Sequence, residues 1–116
     1  MSQTIAIYHN PRCSKSRQAL ALLQDAGIEP EIVRYLDQPL TAAEVEALID
    51  KLGVAPHALV RAKEAAYEEA GLSDDSTRQQ ISRAIAAHPI LLERPIIVRG
   101  DKAVIGRPPE RARELL

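Results

Sequence analysis

Thr4-Ile5-Ala6-Ile7-Tyr8, the break at Asn10-Pro11, the run from Ser14 to Ala26 closed by Gly27, and Glu31-Ile32-Val33-Arg34-Tyr35 together decide the fold. The first five residues are short, apolar and β-prone, which predicts a buried strand. Asn10-Pro11 ends it. Ala19, Leu20, Leu23 and Ala26 then recur at helical spacing, and Gly27 stops the pattern. The segment from Glu31 to Tyr35 reads as a second strand. A strand, a helix and a strand in this order favour a parallel pair joined by a right-handed crossover.

Working outward, Thr41-Ala42-Ala43-Glu44 is a capping box. Val45, Leu48, Ile49 and Leu52 follow on one helical face, and Gly53 ends that helix. Residues 57–70 hold one or two short helices around Leu59 and Tyr67. Ser76-Thr77-Arg78-Gln79 opens another, with Ile81, Ala84 and Ile85 on one face and Pro89 closing it. Pro95-Ile96-Ile97-Val98 reads as a strand, Arg99-Gly100-Asp101-Lys102 as a tight turn and Ala103-Val104-Ile105 as the return strand of a hairpin. Pro108-Pro109 starts a last helix that runs to Leu116. The chain is therefore expected to be α/β, with a thioredoxin-like fold: a four-stranded mixed sheet and a helical insertion between its β-α-β and β-β-α halves.

A chain of 116 residues suits one domain with one modest core, spanning 1–116. With no Trp or Phe and three Tyr, the core must be aliphatic, and the aromatic platforms that single-stranded nucleic acid stacks on are missing. A formal net charge of −1 gives no global field toward nucleic acid or an anionic membrane. No apolar run is long enough to span a bilayer. Met1-Ser2-Gln3-Thr4 has neither a basic region nor an apolar core, so no signal peptide is expected. A single cysteine cannot form an internal disulfide, which fits a reducing, cytoplasmic location. Eleven Arg against four Lys, beside eighteen Ala, is ordinary codon bias for most positions, so only position can single out functional arginines.

Cys13 lies between the first strand and the first helix. Ligands of open α/β sheets bind beyond the carboxyl ends of strands, and a helix start offers free N–H groups and the positive end of its dipole. Both stabilise a thiolate, whereas an ordinary thiol of pKa ~8.5 is only roughly 3% ionised at pH 7. Ser14 and Ser16 supply hydroxyls. Arg17 stands one helical turn on, and Arg12 and Lys15 are close. His9 can act on the thiolate by charge or hydrogen bonding, or it is a plain strand-end histidine. The alternative for Cys13 is an inert, buried cysteine. Its polar and charged neighbours, at a junction rather than on an apolar stripe, favour a nucleophile. A metal site is not expected. His9 and Cys13 give at most two ligands, and His57 and His88 lack paired spacing. No second cysteine exists for an internal dithiol cycle, so redox chemistry would need an external thiol.

His9-Asn10-Pro11-Arg12-Cys13-Ser14-Lys15-Ser16-Arg17 resembles the active-site loop of the glutaredoxin-dependent arsenate reductases. Leu59-Val60-Arg61, Glu93-Arg94-Pro95-Ile96 and Gly106-Arg107-Pro108-Pro109 match further motifs of that family in the same order, so the resemblance covers nearly the whole chain. The chain ends nine residues after Arg107, which resembles the short subgroup.

The resemblance implies that Cys13 attacks arsenic and that His9 favours its thiolate. Ser16 and Arg17 belong to the hydroxyls and cations around the nucleophile that have the parts for holding a small oxyanion, and the resemblance implies that Arg61, Arg94 and Arg107 surround arsenate and arsenite. Pro95 would be the cis-proline of thioredoxin-like folds. No cofactor would be bound. Glutathione would be the co-substrate and glutaredoxin the protein partner, with no nucleic acid and no membrane involved. Taken one at a time, each arginine has a structural alternative: a solvated helix residue at Arg61, an ion pair at Arg94, a carbonyl cap at Arg107. Two other functions fit such a fold: a glutathione-dependent thiol/disulfide reductase, and a non-enzymatic transcriptional regulator.

Overall fold

A computed structural model describes residues 4–116, so Met1, Ser2 and Gln3, on which the expectation about a signal peptide rests, lie outside the described residues. Four strands, β1 (Ile5–Tyr8), β2 (Glu31–Val33), β3 (Ile96–Arg99) and β4 (Lys102–Ile105), form one sheet in the order β2-β1-β3-β4. β1 and β2 are parallel, while β1–β3 and β3–β4 are antiparallel. The mixed, four-stranded, thioredoxin-like sheet expected from the element order is therefore present. The chain's contacts group into two units, residues 4–35 with Arg94–Leu116, and Leu36–Glu93.

The first unit holds the sheet. Helix α1 (Ser14–Asp25) crosses from β1 to β2. Ile5 and Ile7 alternate onto the face that buries them against Ala19 and Leu23 of α1, Ile97 of β3, Val104 of β4, and Ala112 and Leu115 near the C-terminus. Register explains the alignment, since Ile7 pairs with Ile97 and Ile97 with Val104, putting three branched side chains in one row. The β3–β4 hairpin closes on Gly100-Asp101. Gly100, at φ 62°, takes the left-handed position that a two-residue turn of type II′ requires.

β1 and β3 each start one residue later than read, at Ile5 and Ile96, and Arg99 and Lys102, read as turn residues, pair in the ladder; two further elements carry more physics. β2 ends at Val33 rather than Tyr35. Its partner β1 stops at Tyr8, the next amide (His9) takes the Val33 carbonyl at 2.9 Å, and the chain then turns away at Asn10-Pro11. The last helix, Pro109–Leu115, is 3₁₀ rather than α. Neither Pro108 nor Pro109 has an N–H, and Arg111 N–H bonds back to the Pro108 carbonyl at 3.0 Å, an i→i+3 closure.

The second unit is helical: α2 (Ala42–Leu52), a 3₁₀ turn (Pro56–Leu59), α3 (Ala65–Glu69), α4 (Arg78–Ala87) and a 3₁₀ turn (Pro89–Leu91). Thr41 and Glu44 form the expected capping box at α2, and Thr77 and Gln80 form another at α4. α2 packs on α4, burying Val45, Leu48 and Ile49 on one side and Ile81 and Ile85 on the other. Arg78 ties the pair at its edge, reaching Asp50 Oδ1 at 2.9 Å and the Glu46 carbonyl at 2.9 Å. No helix among the described residues is long and apolar enough to cross a membrane.

Candidate active site

The sheet register builds the site. Tyr8 pairs with Ile96, and Ile96 with Ile105. One residue further along, His9, Pro95 and Gly106 therefore lie beside one another at the end of β1 where the Cys13 loop leaves the sheet. Gly106 N–H donates to the Pro95 carbonyl at 2.8 Å, continuing the ladder past the end of the strands. Arg94 and Arg107 flank that row. The Arg94–Pro95 peptide is cis, as expected for Pro95, and the Arg107–Pro108 peptide is cis as well.

The loop is closed by its own polar groups. Asn10 Oδ1 accepts from Arg12 N–H at 3.0 Å, and the Asn10 carbonyl accepts from Cys13 N–H at 3.0 Å. Cys13 then occupies the N-cap of α1 in extended backbone. An N-cap is where a Ser or Asp oxygen would accept from the N2 or N3 amide. Here the N–H groups of Ser16 and Lys15 face the sulfur instead.

Cys13 is 9% exposed, so burial raises its pKa. Opposing this are the Ser16 N–H, the Arg94 charge, the Lys15 N–H and the Arg107 charge. Together they outweigh burial and hold the thiol below its ordinary value. Arg107 Nη2 stands 3.8 Å from Sγ while its Nε donates to the Arg94 carbonyl at 2.8 Å. The guanidinium is thus anchored at one edge and presented to the sulfur at the other.

His9 is tied to the first turn of α1 through Ser16. It is 6% exposed, and its Nδ1 lies 2.6 Å from Ser16 Oγ, which also accepts from Asn10 N–H at 3.1 Å. Burial, followed by the charges of Arg34 and Arg17, lowers the His9 pKa, so the ring is neutral at pH 7. It holds Ser16, whose amide faces Cys13. Ser16 is wholly buried, its hydroxyl committed to the loop. Arg17 Nη1 donates to the Pro11 carbonyl at 2.8 Å, bracing the same loop from outside. Arg61 belongs to the helical unit, where it pairs with Glu64 at 2.6 Å and donates its N–H to the Leu91 carbonyl at 2.7 Å.

The sequence reading placed free N–H groups at the helix start but not which ones, and it missed the roles of the Asn10 side chain and of Gly106 in the loop geometry. Asn two residues before a turn amide is the signal for the Asn10 bond. Gly106 shows in the sequence only as part of a motif, and what packs over it does not. Among the described residues, no group of three or more His, Cys, Asp or Glu side chains could hold a metal ion.

A parallel β-α-β half, an antiparallel hairpin half, a cis-proline at the start of β3 and a lone cysteine capping the first helix define a thioredoxin-like protein organised around one sulfur. The sequence matches the ArsC family over residues 8–115, and the chain belongs to that family. It is 46% identical over 114 residues to the arsenate reductase of Neisseria meningitidis serogroup B, covering 97% of each chain. It is 46% identical over 118 residues to the uncharacterized protein YfgD of Escherichia coli, covering 100% of this chain and 99% of that one. Among solved structures, the arsenate reductase from Vibrio cholerae superposes with a TM-score of 0.94 at 41% identity, each chain covered in full.

Proposed function

We propose that this chain is an arsenate reductase that uses Cys13 as its nucleophile, glutathione as co-substrate and glutaredoxin as partner. The observation that carries the reading is the Cys13 sulfur at a helix N-cap with the Arg107 guanidinium 3.8 Å away. Such a site favours a thiolate and offers cations and amides to a tetrahedral oxyanion. The family and the arsenate reductases it resembles supply the substrate.

In the proposed sequence, the Cys13 thiolate attacks arsenic and forms an S–As bond, and a protonated oxygen leaves as water. Arsenic is still pentavalent. The thiol of glutathione then replaces a second oxygen, again releasing water. The glutaredoxin thiolate attacks the glutathione sulfur and forms a disulfide; the electron pair of the broken S–As bond stays on arsenic, which becomes trivalent. Water finally displaces Cys13 and releases arsenite. Arg94 and Arg107 stabilise the charge that accumulates in the first step, and Arg61 is the third guanidinium of the proposal. To take that role, Arg61 would have to exchange its ion pair with Glu64 for one with the anion.

The test is steady-state turnover of arsenate with glutathione and glutaredoxin. Cys13→Ser should abolish it while the circular dichroism spectrum stays unchanged; substantial residual activity would show that the nucleophile is wrong. Turnover of a mixed glutathione disulfide, with none of arsenate, would instead make the chain a thiol/disulfide reductase.

A further inference from the structure

We propose that Gly106 is a positioning residue for the cysteine: the absence of a side chain there lets the hairpin lie against Pro95 and so delivers the Arg107 guanidinium to Cys13. The inference rests on reading Cys13 as the reacting group. Gly106 is buried, and its amide is fixed to the Pro95 carbonyl at 2.8 Å. A Cβ at this position would stand 2.8 Å from Pro95 Cγ and 3.1 Å from Ile97 Cδ1. Pro95 is a ring and under 2% exposed, so it has no free end to swing aside. The backbone of residue 106 must therefore move away from β3.

Arg107 would move with it. Its N–H closes onto the Ile105 carbonyl at 2.9 Å across Gly106, so the two residues share one tight turn. From that turn its side chain makes two reaches, Nε to the Arg94 carbonyl at 2.8 Å and Nη2 to Cys13 Sγ at 3.8 Å. The second is already long for a charged contact, so a few tenths of an ångström of outward displacement weakens it first. The charges acting on the sulfur are those of Arg94 and Arg107, and only Arg107 sits on the displaced turn.

The experiment is the pH dependence of Cys13 alkylation by iodoacetamide in the full chain, with no arsenate present. Gly106→Ala should raise the midpoint and slow alkylation at pH below it in the same direction as Arg107→Ala but by less, roughly two- to threefold. In an Arg107→Ala background, adding Gly106→Ala should change nothing further, because the two act through one contact. Ile97→Val, which removes the Cδ1 atom 3.1 Å from the new methyl, should leave the midpoint alone by itself and recover part of the shift beside Gly106→Ala.

A lowered wild-type midpoint that Gly106→Ala leaves in place would overturn the assignment, as would effects of Gly106→Ala and Arg107→Ala that simply add. So would loss of the fold, by circular dichroism, in both Gly106→Ala and its Ile97→Val partner, since Gly106 would then serve the core alone. An ordinary wild-type midpoint would sink this inference together with the nucleophile. Failure of arsenate turnover with a lowered midpoint would touch only the substrate.

Discussion

Replacing Arg107 by Ala removes one positive charge and the anchor on the Arg94 carbonyl, and it leaves the sheet untouched. Nη2 lies 3.8 Å from Cys13 Sγ. Two unit charges about 4 Å apart interact by about 1 kcal/mol in water and about 4 kcal/mol at an effective dielectric constant near 20. The sulfur is buried but Arg107 is exposed, so solvent screening pulls the value toward the lower end, about 1 to 2 kcal/mol. That corresponds to a roughly five- to thirtyfold fall in the thiolate-to-thiol ratio at any pH below the midpoint. The sign follows from the charge: losing a cation disfavours the thiolate, so the midpoint of alkylation by iodoacetamide moves up. The plateau rate at high pH, where every molecule is thiolate, should be nearly unchanged. Arg107→Lys keeps the charge but loses the fixed fork, and should fall between the two. An Arg107→Ala midpoint equal to the wild-type one would exclude this role, and a rate that falls equally at every pH would mean that Arg107 controls access rather than ionisation.

His9 has its folded-state pKa depressed by burial and by Arg34 and Arg17. Its contribution is complete above the unfolded value of about 6.5 and is lost as pH falls toward and through the folded one, so the urea midpoint should decline below that pH. His9→Asn, which can still bond Ser16, should flatten that part of the curve; an unaltered slope would show that other groups cause it. Ser82 is fully buried on α4, and its Oγ has no hydrogen-bond partner among the described residues. Ser82→Ala should raise unfolding stability by about 1 kcal/mol, by removing a desolvated hydroxyl and improving helix propensity; a lowered urea midpoint would contradict this. Thr77→Ala deletes the capping box of α4 and should cost about 1 kcal/mol, measured in the same way, with Thr77→Ser nearly neutral.

The fold was legible where local chemistry dictates it. Thr41 and Glu44 announce α2 because a capping box is a contact between neighbours in sequence, and Gly100 announces the hairpin because few residues tolerate its backbone. The end of β2 was not legible, since Arg34 and Tyr35 are good strand residues that lose their partner only because β1 stops at Tyr8. The 3₁₀ form of the C-terminal helix is subtler. Prolines suit the first turn of either helix, and the closure of Arg111 onto Pro108 decides between them. In the site, Cys13 could be read from its place at an element junction. The bond between His9 and Ser16 could not, because Ser16 comes within reach of the ring only once the first turn of α1 is wound. Gly106 was visible as part of a motif, but the space it leaves for Pro95 is a property of three strands in register.

In the proposed reaction, the thiolate and its substrate draw on the same cations, and this explains why the arginines come from separate segments. Arg94 and Arg107 supply two positive charges near Cys13, and the start of α1 adds roughly half a charge. That is ample for one thiolate. It does not suffice when a doubly charged oxyanion arrives, because three negative charges then face about two and a half positive ones. Arg17 adds little to this balance, since its guanidinium is turned back onto the Pro11 carbonyl. A proton carried in on the substrate lowers the oxyanion to a single charge, so that two negative charges face about two and a half positive ones and the balance closes. The same proton makes the departing oxygen a better leaving group, which is what a thiolate attacking an anion requires.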